Sequence, residues 1–152
     1  MSTVTDAEAI QAVHDGWFAA NVNLQGDSIA EFFAEGDNYH QFNLNGFTYR
    51  GAADKVKLWE GLKRVGVNIT EIKDVGAPEL HIVGDVAWLA GDATARLMMP
   101  TPSGTLEESG DTPVRYTEIY RKDDGAGNEV WTIWHMHVSA AAPDGALKYG
   151  DQ

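Results

Sequence analysis

Every second side chain from residue 87 to residue 97 is apolar, and most are small: Ala87, Leu89, Gly91, Ala93, Ala95 and Leu97. The side chains between them include Asp92, Thr94 and Arg96. Successive side chains of a β-strand point to opposite faces of the sheet, so this alternation predicts a long strand with one buried face. Small side chains on that face leave room for a ligand. The pattern favours a sheet with a pocket over one face.

Helical spacing is confined to the first half of the chain. Thr5 and Glu8 form a capping box before an apolar stripe made of Ile10, Val13, Trp17 and Ala20. A short second helix is expected over residues 27–33. A third follows Gly51 and buries Val56, Trp59 and Leu62.

Strand patterns fill the rest of the chain, and we expect strands at residues 38–44, 68–75, 79–99, 114–122 and 129–139. The order predicts an α+β fold in which three N-terminal helices pack on a strongly curved antiparallel sheet. We place this single domain at residues 1–139. Residues 140–152 form a C-terminal tail.

Charge and composition limit the partners. The chain has 11 lysines and arginines against 23 aspartates and glutamates, a net charge of −12, which disfavours nucleic acid and anionic membranes. No segment is apolar enough for a membrane span and the N-terminus lacks a signal-peptide pattern, so we expect a cytoplasmic protein. There is no cysteine, which excludes disulfides and thiolate chemistry.

Glu118 is the most informative residue of the strand that follows. It alternates with Tyr116 and Tyr120 on one face. A carboxyl group on an aromatic face would be desolvated, which makes it a candidate general acid or base. A carboxylate satisfied by a tyrosine hydroxyl is the alternative. By the same alternation, Trp134 and Met136 point into the pocket.

The histidines suggest no metal centre. His135 and His137 share one face of the last strand, but a functional zinc site needs about three protein ligands and no third is evident. Alternation places both on the outer face with Trp131, and with Trp88 and Arg115 they suggest a homodimer interface. His14 and His81 are interpreted as core or surface residues. We expect neither a metal nor a cofactor.

The chain resembles SnoaL-like proteins of the nuclear transport factor 2-like superfamily. The resemblance is clearest in the two strands at residues 115–125 and 131–139, and it extends to residues 32–37, Gly51 and residues 84–88. It implies a cone with one internal pocket. It also implies one of several activities, because this fold hosts isomerases, dehydratases, cyclases, lyases and non-catalytic modules.

The resemblance places the base of ketosteroid isomerases near Gln41 and the second acidic position of those enzymes at Glu118. A shift of one residue would put His40 at the base position. We therefore expect a cofactor-independent lyase or isomerase acting on a small hydroxylated or carbonyl-bearing, aromatic compound, or else a non-catalytic ligand-binding module. The candidate catalytic residues are Glu118, Tyr116 and His40. The candidate ligand-binding residues are Trp17, Tyr39, Gln41, Trp59, Leu89, Tyr120, Trp134 and Met136.

Overall fold

Two α-helices and a set of short helical turns make up the helical part of the computed structural model, which describes residues 3–150. Helix α1 spans Asp6–Asn21 and helix α2 spans Ala52–Arg64. The expected capping box is present, because the Thr5 hydroxyl accepts the Glu8 amide at 3.2 Å and the Glu8 carboxylate accepts the Thr5 amide at 2.8 Å.

The second helical segment consists of 3-10 turns rather than an α-helix. These turns span Gly26–Ser28 and Ala30–Phe32, and a further one spans Gly36–Asn38. The helical segment ends because Phe33 is extended and the Ala34 amide donates to the Ile133 carbonyl at 2.9 Å. Pairing with the sheet thus replaces a helical hydrogen bond.

Eight strands within the described residues form one sheet. They are β1 His40–Phe42, β2 Thr48–Arg50, β3 Asn68–Asp74, β4 Glu79–Val83, β5 Val86–Pro100, β6 Leu106–Glu108, β7 Thr112–Lys122 and β8 Trp131–Ala140. The expected strand at 79–99 is a hairpin of β4 and β5. The short strand β6 lies between residues 100 and 113, where no strand was expected. After Ala140, residues up to 150 contain no helix or strand, while residues 151 and 152 of the expected tail lie outside the described part.

The strand order is β2-β1-β8-β7-β5-β3, with β4 and β6 also paired to β5. β1 runs parallel to β8, so the sheet is mixed rather than antiparallel throughout. The sheet is curved and open, and the long strand β5 pairs with β4 along its first half and with β3 along its second. Helix α1 packs against β3 and β8, so the core and the pocket lie between the helices and the concave face.

Within residues 3–150, no helix is long and apolar enough to span a membrane.

A β-bulge in β8 changes which side chains face the core. Ile119 pairs with His135, whereas Tyr120 pairs with Ile133, so Trp134 is the extra residue. A bulge reverses the alternation, and Ile133 and Trp131 consequently face the core. The prediction that Trp131 lies on the outer face is wrong. Its indole donates to Asp6 at 2.9 Å.

Candidate functional site

A cavity of about 190 Å³ lies between the helices and the concave face of the sheet. Its wall is mostly apolar. Leu44, in the β1–β2 turn, lines the cavity and is 44% exposed. The polar side chains in the wall are Asn21, Gln41, Asn43, Lys55, Thr112, Tyr116 and Glu118.

Glu118 is fully buried in β7 and lines the cavity. Its Oε1 accepts a hydrogen bond from the Tyr120 hydroxyl at 2.6 Å. Both of its oxygens lie within 2.9 Å of Nδ1 of His14. These contacts stabilise an ionised carboxylate, whereas burial opposes it. Oε2 has His14 as its partner and retains capacity to accept another hydrogen bond.

His14 connects Glu118 to a second carboxylate. It lies on the buried face of α1, in line with Ile10, Trp17 and Asn21. Its Nε2 lies 2.8 Å from Oδ2 of Asp74, at the end of β3. Burial lowers the pKa of His14, but hydrogen bonds and charges from Glu118 and Asp74 outweigh it, and the net pKa is above 6.5. An imidazolium here donates to both carboxylates.

Tyr116 completes this polar cluster, which consists of His14, Asp74, Tyr116, Glu118 and Tyr120. Its hydroxyl donates to Oδ1 of Asp74 and lies 3.3 Å from Nε2 of His14. Burial, and then its bond to Asp74, raise the pKa of Tyr116 well above 10. The phenol therefore stays neutral, and its one proton is held by Asp74.

The space for the Tyr116 ring depends on Gly91, its partner in the β5–β7 register. A Cβ atom at position 91 would lie 2.9 Å from the Tyr116 hydroxyl oxygen and 3.2 Å from Cβ of Pro78. A larger residue would displace the tyrosine. The small residue in the sequence pattern thus positions a polar group.

Lys55 is a second ionisable group in the cavity wall. It is buried in α2, and its Nζ donates to Oε1 of Gln41 at 2.6 Å and lies 4.1 Å from the centre of the Trp17 ring. The same amide oxygen accepts from the Tyr39 hydroxyl at 2.6 Å. Burial lowers the pKa of Lys55 to about 7, although the charge of Glu118 works in the opposite direction.

The structure resolves the alternative between Gln41 and His40. Gln41 is buried and lines the cavity, whereas His40 lies on the outer face, with its Nδ1 3.0 Å from Nδ1 of His135. Neighbouring residues of a strand face opposite sides, so only one of the two can reach a ligand. The prediction of His40 as a catalytic residue is therefore wrong.

The other ligand-binding candidates separate into three groups. Trp17, Trp59 and Met136 line the cavity. Tyr39, Leu89 and Tyr120 are buried but are not among its lining residues, so they support the wall. The prediction that Trp134 points into the pocket is wrong because of the bulge. Its indole donates to the Asp123 carbonyl, and its ring lies 4.1 Å from the Arg121 guanidinium.

Sequence reasoning missed His14, Asp74 and Lys55. The first has a signal in the sequence, since residues 10, 14, 17 and 21 share one helix face, and His14 and Asn21 are polar exceptions on it. Lys55 precedes Trp59 by four residues and therefore shares its face. Asp74 gives no such signal, because it ends a strand before a turn. Within residues 3–150, no group of three histidine, aspartate or glutamate side chains is placed to hold a metal ion.

Comparison with known proteins agrees with this architecture. The profile of the SnoaL-like domain family matches residues 10–143. A search among curated proteins finds no match. Among solved structures, a nuclear transport factor 2-like superfamily protein from Salmonella enterica subsp. enterica serovar Typhimurium str. LT2 gives a TM-score of 0.71 at 18% identity, covering 93% of this chain and 96% of that chain.

Two further structures show the same fold. A protein with a cystatin-like fold from Caulobacter vibrioides has a TM-score of 0.68 at 22% identity, with 91% of each chain covered. A candidate dehydratase of the nuclear transport factor 2-like family from Streptomyces avermitilis has a TM-score of 0.65 at 12% identity, covering 91% of this chain and 97% of that chain. The α+β cone is confirmed. Because the family profile matches nearly the whole chain, this protein belongs to the SnoaL-like family.

Proposed function

We propose that the protein is a cofactor-independent acid–base enzyme of the lyase or isomerase type, acting on a small hydroxylated or carbonyl-bearing ring compound. The observation that supports this most directly is Glu118, a buried carboxylate in the wall of an apolar cavity with His14 and Asp74 behind it. Two other side chains of the same wall, Tyr116 and Lys55, have displaced pKa values, which is typical of catalytic sites.

The size of the cavity limits the ligand to about one ring. An apolar protein cavity of about 150 Å³ is large enough for benzene. The present cavity of about 190 Å³ is only slightly larger. Trp17 and Trp59 stack with their ring centres 5.7 Å apart, and together with Met136 they form apolar wall for a flat ring.

Glu118 acts as the base in the proposed reaction. Its free acceptor capacity on Oε2 takes a proton from the carbon next to a ligand carbonyl group, and the C–H electrons move towards the carbonyl oxygen. Tyr116 also lines the cavity, and its hydroxyl can donate to that oxygen if its proton turns from Asp74 to the ligand. Return of the proton from Glu118 to another carbon gives an isomer. If Glu118 instead gives the proton to a hydroxyl on the neighbouring carbon, the C–O bond breaks and water leaves, which gives a dehydration product.

His14 controls the charge of this base. As an imidazolium between two carboxylates, it compensates the negative charge of Glu118 while that group waits for a ligand. Once Glu118 takes a proton, Asp74 still compensates His14. The positive charge on His14 therefore has a carboxylate partner before and after the transfer.

Hydrogen–deuterium exchange tests the proton transfer without knowledge of the natural substrate. Cyclohexanone and acetophenone are single-ring ketones, and the loss of their α-protons in deuterium oxide is followed by NMR. We expect the protein to accelerate the exchange, and Glu118→Gln to lower the rate on the order of a hundredfold. Glu129→Gln, which changes an exposed glutamate, is the matched control. Equal rates in Glu118→Gln and the control would show that Glu118 is not the base.

A non-catalytic ligand-binding module is the second candidate. Within the described residues, every buried side-chain nitrogen or oxygen atom has a hydrogen-bond partner, so the polar cluster is satisfied without any ligand. This arrangement also suits a structural network around a binding cavity. Ketone binding seen as NMR line broadening, with no exchange above the uncatalysed rate, would favour this alternative.

A further inference from the structure

Lys55 is in the cavity wall but takes no part in the acid–base steps proposed above. Only 2% of its surface is exposed. Within residues 3–150, Lys55 belongs to none of the ion pairs, so no carboxylate oxygen lies within 4.0 Å of its Nζ. A buried lysine is normally paired, so its solitary position needs an explanation.

The hydrogen bonds around Nζ suit a neutral amine better than an ammonium ion. An ammonium group has three donors, whereas a neutral amine has two and a lone pair. Among the described residues, Gln41 provides the one hydrogen-bond acceptor for Nζ. The centres of the Trp17, Phe33 and Trp59 rings lie 4.1, 5.8 and 5.8 Å from Nζ. Gln41 is itself held by Tyr39, so the amine is fixed at the cavity wall. The lone pair has no proton donor among these contacts.

A buried amine in an apolar site can act as a nucleophile towards carbonyl groups, since the charged form is disfavoured there. At neutral pH a large share of Lys55 is uncharged, because burial lowers its pKa to about 7 against the opposing charge of Glu118. An exposed lysine, with a pKa of about 10.4, is almost entirely charged at that pH. The cavity thus holds a lysine that differs in reactivity from surface lysines.

We propose that Lys55 captures an aldehyde or ketone in this cavity by forming an imine. Nζ attacks the carbonyl carbon, a C–N bond forms, and the π electrons move to the oxygen to give a carbinolamine. Both amine protons end on that oxygen, the C–O bond breaks, and one water molecule leaves as the C=N bond forms. The step consumes no oxidant, reductant or metal.

This inference extends the proposed function, because it names carbonyl compounds as the ligand class and gives the cavity a covalent way to hold them. It is tested separately from the role of Glu118. Benzaldehyde has no α-proton, so it cannot undergo the exchange reaction, but it can form an imine. Trapping of the imine as a covalent label on the protein detects the C–N bond, whereas hydrogen–deuterium exchange detects the proton transfer. Either experiment can therefore fail while the other succeeds.

The test is reductive trapping of the full chain with benzaldehyde and cyanoborohydride, followed by intact mass measurement and peptide mapping. At pH 7 we expect one benzyl group per chain, mapped to Lys55. Labelling of Lys55 should rise with pH to about 7 and then level off. The exposed lysine Lys63 serves as the comparison. A free lysine has a pKa of about 10.4, so its labelling continues to rise above pH 7.

Two variants complete the experiment. Lys55→Met keeps a long unbranched side chain in the core and should lower the labelling at pH 7 at least tenfold, while Lys63→Met should leave it unchanged. Thermal unfolding and circular dichroism verify that each variant is folded. Labelling spread over surface lysines and the terminal amine would overturn the proposal. So would Lys55-dependent stabilisation by benzoate without any benzaldehyde adduct, because that result would show a site for a ligand anion.

Discussion

The buried imidazole of His14 contacts a carboxylate on each side, and this single residue links α1 to β3 and β7. Removing one member of a buried ion pair leaves an uncompensated charge and costs about 3–5 kcal/mol. Here two carboxylates would lose their partner together. The residue therefore affects both the stability of the fold and the chemistry of the cavity.

His14→Gln should lower the free energy of unfolding by about 3–5 kcal/mol at pH 6. The pKa of His14 is raised in the fold, so the folded protein keeps a proton that the unfolded chain loses above about pH 6.5. The contribution of His14 to the free energy of unfolding is complete below pH 6.5 and declines as the pH rises towards the pKa of the folded state. The difference between wild type and variant should therefore shrink from pH 6 to higher pH.

Urea denaturation over this pH range measures the effect. Gln11→Ala provides a control whose difference from wild type should not vary over this pH range. Gln11 is half-buried on α1 and bonds to Asp15 rather than to the polar cluster. If the His14→Gln difference is also constant, His14 is not protonated in the fold.

The alternation of side chains in the strands predicted part of the polar cluster, whereas the periodicity of α1 did not predict the role of His14. Glu118 and Tyr116 were predicted to share the pocket face, and they do lie there, because β7 keeps a regular alternation up to the bulge. His14 was interpreted as a core or surface residue. A lone histidine on an apolar helix face gives no information about its partners, and these come from strands 60 and 104 residues away.

At the level of elements, β5 and β7 set the geometry of the polar cluster. Gly91 in β5 stands opposite Tyr116 in β7, and the absence of a side chain there allows the tyrosine hydroxyl to reach Asp74. The apolar alternation of β5 was readable from the sequence. The bulge at Trp134 was not, because its position is set by how β7 and β8 pair and no glycine or proline marks it.

Gly91→Ala should destabilise the protein by about 1–3 kcal/mol, because the added methyl group overpacks the contact with Tyr116 and Pro78. It should also lower ketone exchange, since the Tyr116 hydroxyl must move away from Asp74. Denaturant titration and the NMR exchange assay measure the two effects.

Gly61→Ala is the matched control. This glycine lies inside α2, and nothing is within 4 Å of a Cβ atom placed there. Alanine favours the helix by about 0.5–1 kcal/mol, so this variant should be more stable than wild type. A Gly91→Ala protein as stable and active as wild type would mean that the Tyr116 position is not determined by this contact.

At the scale of the whole molecule, the outer face of the sheet carries a continuous row of large side chains. Trp88 pairs with Ile119, Ile119 with His135, and His135 with His40 across four neighbouring strands. Trp88 is 42% exposed and Ile119 is 36% exposed, and Phe42 beside His40 is 41% exposed. Aromatic and apolar residues at the centre of a surface are typical of protein interfaces.

We propose that this face forms a homodimer, and we expect a dimer in sedimentation at micromolar concentration. Trp88→Glu should dissociate it, because a buried unpaired carboxylate at an apolar interface is costly. Tyr149→Glu, at an almost fully exposed position in the C-terminal segment, should leave it intact. A wild-type protein that sediments as a monomer would exclude the interface.

The parallel pairing of β1 with β8 also dictates when the cavity can exist. Gln41, which holds Lys55, lies in register with Met136, 95 positions later in the chain. Contacts between distant segments form late, because a long loop must first be closed. A ribosome must therefore release the chain as far as β8 before the cavity closes. Until then the nascent chain exposes the apolar surface that the finished cone encloses, which makes the interval before β8 docks the period of greatest aggregation risk.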